Sequence, residues 1–384
     1  MKSTKKIKLF RVITQKEVVE WHLNNFLVRC EKDFDVFVLG NNVSKYSNQY
    51  PNVSFIDINI KRKINILSDI YILFVLGFYM IKHRPLIVHS IMPKAGLLSS
   101  VSSFLTFRPL RMHTFTGQVW ANAKGLKRSL LILIDKLIIR LNTINLTDSP
   151  SQSSYLLKNN LSNKGNLIPF LGIGSLSGVD IENFNYNKLI HKRLIVRKQL
   201  NMRENDFVLL FLGRKSIVKG IVNLFEAFNY LSDLNLKLLF IGPDESDGKL
   251  EILLKKYAHL KDNIIQLDKV SFRQQYIIAS DLLCLPSSIE GFGSIVIDSA
   301  ALGVPTIGFD IIGLVDAIEN YKTGILVENG NSEKFANAIR ELVENRELYD
   351  KFKFNCFNRV KLFFDANLLY QYQKDFYLNS ININ

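Results

Sequence analysis

Asp281-Leu282-Leu283-Cys284-Leu285-Pro286 runs through a short connection into Glu290-Gly291-Phe292-Gly293-Ser294. Ile295-Val296-Ile297-Asp298-Ser299-Ala300-Ala301-Leu302-Gly303 follows, and the reading of this stretch decides the fold. The first segment is apolar throughout, as a strand buried on both faces must be. Two glycines then break the chain, and the spacing predicts a helix from about Ser294. A strand, a tight loop and a helix start together aim free backbone N–H groups at one point, which suits a phosphate. Glu290 and Asp298 stand on either side. Carboxylates repel phosphate and accept hydrogen bonds from hydroxyls, so a sugar phosphate fits the group as a whole. An ordinary strand–loop–helix connection has the same outline, so the stretch alone leaves both readings open.

The same alternation extends in both directions. In the first half, strands are expected at Ile7–Ile13, Val36–Leu39, Val53–Ile56, Leu86–His89, Arg111–Phe115 and Asn145–Leu146. Helical patterns at Glu17–Cys30, Asn65–Ile81, Ala95–Leu105, Lys127–Leu141 and Gln152–Asn159 separate most of them. Phe170 to Asp180 carries three glycines and reads as a linker, followed by a polar helix at Lys188–Leu200. Strands then recur at Phe207–Leu212, Leu236–Ile241, Ile264–Leu267, Leu282–Leu285, Thr306–Phe309 and Ile325–Val327. A helix at Gly220–Leu231 lies among them, and helices near Ser332–Glu344, Tyr349–Phe363 and Ala366–Leu378 close the chain. This is the rhythm of doubly wound parallel sheets, and 384 residues suit two α/β domains with a cleft between them. The expected division is residues 1–180 and 181–384, with the terminal helices packing back across the first domain.

Composition narrows the function. Cys30, Cys284 and Cys356 are far apart and odd in number, which argues for a reducing compartment and against a disulfide framework or zinc site. The basic N-terminus leads straight into a strand pattern, without the apolar stretch of a signal peptide. Tyr71 to Ile81 is the most membrane-like segment. Its eleven residues fall short of the ~20 that a spanning helix needs, so a core or interfacial helix is expected. The net charge of +14 is lopsided: residues 1–180 hold 24 Lys/Arg against 10 Asp/Glu, and the remainder is balanced. Such a half expects an anionic partner. A membrane surface fits better than nucleic acid, since no reading motif and no aromatics interleaved with the cations are present. Lys124 to Arg140 combines basic residues with a broad apolar face, the composition of an interfacial helix and equally of a core helix with basic edges.

Gly213-Arg214-Lys215-Ser216-Ile217-Val218-Lys219-Gly220 follows the strand Phe207–Leu212. Ligands of open α/β sheets bind beyond the carboxyl ends of strands, where this loop and the Glu290 loop both belong. Arg214 can reach a diphosphate as a fork and Lys219 as a point charge. A solvated basic loop is the plain alternative.

Taken in order, Gly213-Arg214…Lys219-Gly220, Pro286-Ser287…Glu290-Gly291-Phe292-Gly293…Asp298, Ala301-x-Gly303-x-Pro305 and Gly313…Thr323-Gly324 resemble the retaining family-4 glycosyltransferases of GT-B fold. The resemblance implies two Rossmann-like domains, the second binding a nucleotide-sugar. Arg214 and Lys219 would hold the diphosphate and stabilise its charge as it leaves, and Glu290 would contact the sugar. The Gly291, Phe292, Gly293 and Ser294 backbone would contact sugar and phosphate, with Gly213 lining the donor site. The family's second acid, which holds the ribose, is Asp298 here, one methylene shorter.

Val88 to Gly96, Met112 to Trp120 and Thr147 to Gln152 resemble bacterial transferases that build lipid-linked surface polysaccharides, of the O-antigen, lipopolysaccharide and capsule type. That resemblance implies a UDP-sugar donor, plausible as an N-acetylhexosamine, and a lipid-linked saccharide acceptor. It places the enzyme in the cytoplasm, peripherally at the inner face of the cytoplasmic membrane. Relatives carry a cleft histidine in a Thr-x-His pattern. Here Thr116 takes that place and His113 lies three residues earlier, so either can line the cleft. His89 can touch acceptor or donor, and His89 or His113 can equally be a plain interior residue. Thr14-Gln15-Lys16-Glu17 stands where relatives have a glycine-rich loop.

Asp33-Phe34-Asp35 has the spacing of metal-dependent transferases but precedes its strand. With Arg214 and Lys219 able to do a cation's work, no metal and no cofactor beyond the substrate nucleotide is expected. A sugar-nucleotide epimerase of the same fold, or an inactive membrane-bound scaffold, are the rival readings. The first lacks paired acids and bases in the first half, and the second is opposed by intact Arg214, Lys219 and Glu290.

Overall fold

The computed structural model describes residues 6–63, 65–162 and 165–383. The chain divides into two units: one runs to Gly178 and takes up the chain again from Ala366, and the other is Val179–Asp365.

The first unit is built on six parallel strands, β1 (Ile7–Gln15), β2 (Phe34–Asn41), β3 (Ser54–Asp57), β4 (Ile87–Ile91), β5 (Leu110–Phe115) and β6 (Ile144–Thr147), in the order β3-β2-β1-β4-β5-β6. Its helices are α1 (Asn24–Arg29), α2 (Ile66–His83), α3 (Pro93–Leu105), α4 (Gly125–Leu141) and α5 (Pro150–Lys158). The stretch expected as one helix from Glu17 is split into a π-turn at Val19–Leu23, α1, and a 3-10 turn at Cys30–Lys32. Strand alternation sorts the core into two layers. Leu9 and Ile13 pack with Leu23, Phe26 and Tyr377 on one face, whereas Phe10 and Val12 pack with Ile72, Leu76 and Met80 of α2 on the other.

Helix α2 is longer than the eleven apolar residues that mark it in the sequence. Asn65 caps it, accepting from Ser68 N, and by length and composition alone it could cross a membrane. Its inner face is nonetheless core.

The second unit contains β7 (Phe207–Leu212), β8 (Leu236–Ile241), β9 (Ile264–Leu267), β10 (Leu282–Leu285), β11 (Thr306–Phe309) and β12 (Gly324–Val327). All pairings are parallel, in the order β12-β11-β10-β7-β8-β9. The helices are α6 (Tyr186–Gln199), α7 (Ile221–Tyr230), α8 (Lys249–Lys256), α9 (Gln274–Ala279), α10 (Ser294–Ala300), α11 (Leu314–Ala317), α12 (Ser332–Glu344) and α13 (Arg346–Phe363). Arg197 of α6 is buried and pairs with Asp281 at 2.7 Å while donating to the carbonyls of Ala279, Glu204 and Asp206. That network pins α6 beneath the start of β10.

The segment expected as a linker, Phe170 to Asp180, is packed instead. Ser175 N donates to Asp148 O, Asn25 Nδ2 donates to the carbonyls of Ser177 and Gly178, and Leu171, Leu176 and Val179 are buried. Its glycines serve a tight, hydrogen-bonded path rather than a loose one.

The last helix, α14 (Ala366–Ile383), returns to the first unit and lies against α1. Its Tyr377 is fully buried and accepts from Arg11, while Tyr370 donates to Asp33 at 2.5 Å and Lys374 pairs with Asp33 at 2.7 Å. The chain enters the second unit at Val179 and leaves it at Asp365. These two residues form a parallel bridge, with Val179 N donating to Phe364 O at 2.7 Å.

Candidate functional site

The second unit's sheet has the order in which its first strand, β7, lies beside its fourth, β10. The two crossovers leave these strands in opposite directions, which opens a crevice at their carboxyl ends. The two glycine-bearing loops of the sequence emerge from those ends and touch. Gly220 has φ +77°, and a Cβ there would stand 1.8 Å from the Pro286 carbonyl oxygen, so only glycine lets the β7 loop reach the β10 loop. Ser288 N donates to Val218 O at 2.9 Å. On the other flank, Gly313 after β11 presses on the Gly291 carbonyl, where a Cβ would come within 2.4 Å. Lys215 N donates to Pro243 O, and Glu245 N donates to Lys215 O, lacing the β7 loop to the end of β8.

On this frame Lys219 Nζ donates to Glu290 Oε1 at 2.5 Å, with both side chains mostly buried. Arg214 pairs with Glu245 at 2.8 Å on the more exposed side of the same loop. A cation and a carboxylate named separately in the sequence are therefore one pair. Each cation rests on an acid, so an incoming polyanion would exchange one partner for another rather than meet bare charge.

Ser294 begins α10, and Gly293 caps it with φ +83°. The helix has seven residues, so the loop backbone carries more of any anion-binding capacity than the helix dipole does. Gly213 and Gly291 sit in the two loops, and Phe292 points away, buried against Phe364 with ring centres 5.4 Å apart. Asp298 is 5% exposed and accepts from Arg273 Nε at 2.7 Å. Burial raises its carboxyl above the usual range, and Arg273 opposes that.

Glu245 and Arg273 were not singled out in the sequence. They lie 31 and 25 residues from their partners, without a motif to mark them. The only signal for Glu245 is its place just beyond β8, at the same sheet edge.

The first-half candidates do not converge. Alternation along β4 and β5 turns His89 and His113 to opposite faces of the sheet. His89 is wholly buried, with Nδ1 on Tyr377 Oη at 2.6 Å and Nε2 on Thr114 Oγ1 at 2.7 Å. His113 Nδ1 lies 2.9 Å from Ser90 Oγ, and its ring abuts Gly96, where a Cβ would stand 2.4 Å away. Burial holds His113 at a pKa of about 3 and His89 well below the ordinary value, with the Arg11 charge adding to the second effect. Both rings are neutral interior groups. Thr116, half-buried just past β5, is the one of the three at a strand end.

Asp33 is tied to Tyr370 and Lys374, so its pair with Asp35 belongs to the seating of α14. Among the described residues no group of three His, Cys, Asp or Glu is placed to hold a metal. The three cysteines are buried and unpaired, and burial raises the thiols of Cys30 and Cys356 to about 12.

Comparison with known proteins agrees with this geometry. Residues 192–359 match the family described as glycosyl transferases group 1. The capsular polysaccharide biosynthesis glycosyltransferase CapM of Staphylococcus aureus is 29% identical over 377 residues, covering 96% of each chain. The UDP-Gal:alpha-D-GlcNAc-diphosphoundecaprenol alpha-1,3-galactosyltransferase of Escherichia coli is 25% identical over 329 residues, covering 83% of this chain and 82% of that one. Among solved structures, Anabaena Alr3699/HepE in complex with UDP superposes with a TM-score of 0.78 at 17% identity, covering 97% of this chain and all of that one. The crevice between β7 and β10 lies inside the matched family segment, and both sheets lie inside the structural match. The chain therefore has the GT-B fold, and residues 192–359 of its second unit match the glycosyl transferases group 1 domain.

Proposed function

We propose that this protein is a retaining, metal-independent transferase that moves a sugar of N-acetylhexosamine type from a UDP-sugar to a lipid-linked saccharide. Its place is surface polysaccharide synthesis, at the cytoplasmic face of the membrane. The observation that carries the reading is the Lys219–Glu290 contact beside Arg214, at the crevice between β7 and β10. Two cations can follow the negative charge that builds on a departing diphosphate, which is electrostatic catalysis. Glu290, released from Lys219 by the phosphate, is free to accept hydrogen bonds from the sugar hydroxyls. Asp298, one turn into α10 and paired with Arg273, is the acid for the ribose.

In the proposed reaction the acceptor hydroxyl forms a bond to the anomeric carbon on the face that the diphosphate leaves. The anomeric C–O bond breaks with its electron pair going to UDP, and the acceptor proton passes to a departing phosphate oxygen. The S. aureus relative is named for capsular polysaccharide biosynthesis, and the E. coli relative for transfer from UDP-Gal to a diphosphoundecaprenol-linked acceptor. The first name supports the polysaccharide setting and the second the acceptor class.

The test is to incubate the protein with a panel of UDP-sugars and polyprenyl-diphosphate saccharides, following UDP release, glycolipid formation and the product's anomeric configuration, with and without EDTA. One UDP-sugar giving an α-linked glycolipid irrespective of EDTA is expected. Interconversion of sugars without transfer would replace the reading with epimerisation, and no turnover with any donor would leave a scaffold.

A further inference from the structure

Helix α2 carries its most apolar face on the outside. Ile66, Leu67, Tyr71, Phe74, Phe78 and Ile81 fall on one side of the helix at 100° per residue, and all are exposed, Leu67 by 83% and Phe74 by 75%. Ile72, Leu76 and Met80 lie opposite and are buried in the core. The usual amphipathic pattern would put a polar face towards water, and here both faces are apolar.

The patch continues past α2. The end of α3 abuts it, with Thr106 against Gly77 and Met80, and just beyond it Phe107 is 86% exposed. Helix α4, packed on α3, shows Leu126, Leu130, Leu133 and Leu137 along one exposed stripe. Contiguous apolar surface on this scale marks an interaction site.

Charge decides what covers it. Residues 58–147 contain thirteen Lys or Arg and two Asp or Glu. Both acids are engaged: Asp69 pairs with Lys94 at 2.7 Å, and Asp135 is buried, accepting from Trp120. Lys61 and Lys63 precede α2, Lys82 lies in its last turn and Arg84 caps it, and Arg108, beyond α3, is close enough to Arg84 to feel its charge. An apolar face bordered by cations and lacking free carboxylates complements a bilayer whose acyl layer lies beneath anionic headgroups. A protein partner would need a matching acidic rim around an apolar groove.

We infer that the outer face of α2, with the ends of α3 and α4 beside it, inserts into the headgroup boundary of an anionic phospholipid bilayer. This deepens the lipid-linked acceptor reading and rests on it for its biological setting. The helix lies in the surface and does not cross it. Crossing would strip Ile72, Leu76 and Met80 from the core.

The experiment measures partition onto phosphatidylcholine vesicles with and without phosphatidylglycerol, for the wild type, Phe74→Ser/Phe78→Ser and Lys82→Ser/Arg84→Ser, all checked for unchanged thermal unfolding. The wild type should bind phosphatidylglycerol vesicles, and salt should weaken the binding. The double Phe variant should bind at least tenfold more weakly, and the double cation variant should lose part of its affinity and of its salt dependence. Phe78→Trp should shift its fluorescence to the blue on those vesicles. Wild-type protein that stays free of them, double Phe variants that bind unchanged, or a stable dimer that buries α2 would each overturn the inference. Vesicle binding that persists where no UDP-sugar yields glycolipid supports the surface and counts against the acceptor reading alone.

Discussion

Lys219 and Glu290 hold each other at 2.5 Å where the segments after β7 and β10 meet, both mostly buried but with a window to solvent. Lys219→Ala should lower turnover by about 10²–10³-fold, the usual cost of one donor aimed at developing negative charge. Removing one partner leaves the mostly buried Glu290 carboxylate uncompensated, so stability should fall by about 1–3 kcal/mol, roughly 2–4 °C in melting temperature for each kcal/mol. UDP release and a thermal melt measure the two, and near-normal turnover would remove Lys219 from the chemistry.

His89 and His113 make a different prediction. Both are neutral and buried, with folded pKa values below the ordinary 6.5, so the unfolded chain binds more protons as the pH falls below 6.5. The first unit's stability is therefore fully present above pH 6.5 and is lost towards pH 3, by at most about 1.4 kcal/mol per pH unit for each ring. Asp135, raised to about 6 by burial, acts in the opposite sense below that pH and offsets one of the two. Both tryptophans, Trp21 and Trp120, are in this unit, so denaturation followed by tryptophan fluorescence reports on it alone. The midpoint should fall between pH 7 and pH 5, and a flat profile would mean the rings find protons in the fold.

Among the elements, Gly220 is the joint on which the site depends. Gly220→Ala would place a methyl 1.8 Å from the Pro286 carbonyl oxygen at a φ that disfavours alanine, so the β7 and β10 loops must separate. UDP should then protect the variant from thermal unfolding far less than it protects the wild type, by at least a tenfold loss of affinity, and equal protection would show the contact to be dispensable.

The elements also show what a sequence discloses. β7, β8, β9, β10 and β11 have the bounds expected of them, and the central β7 and β10 are unbroken apolar runs because both their faces are buried. α8 and α9 were missed, being short and weakly periodic, and Gly174 and Gly178 read as slack although they are buried. The loop cations and acids were visible as types. That Lys219 meets Glu290, and that Glu245 and Arg273 complete the pairs, required the strand order, which no local pattern encodes. His89 and His113 illustrate the converse: close to strand ends in sequence, they are separated by the sheet itself.

At the scale of the whole molecule, the two units share one strand order and differ in charge. The excess of +14 within residues 1–180 falls in the unit with the exposed α2 face, and the unit with the crevice between β7 and β10 is balanced. Because Val179 and Asp365 are bridged neighbours, the second unit is an insertion between two adjacent points of the first. Joining Gly178 to Ala366 through a short Gly-Ser linker should leave a chain that folds with cooperative unfolding by tryptophan fluorescence. A molten product would show that the first unit depends on the second.

The seating of Tyr377 between Arg11, His89 and Phe34 also sets a timetable. On the ribosome the first unit's strands emerge first, yet their core stays open until α14 arrives after the whole of the second unit. The later-starting unit is thus the first that can finish folding, and the basic, apolar first unit waits with one wall missing while the whole of the second is made.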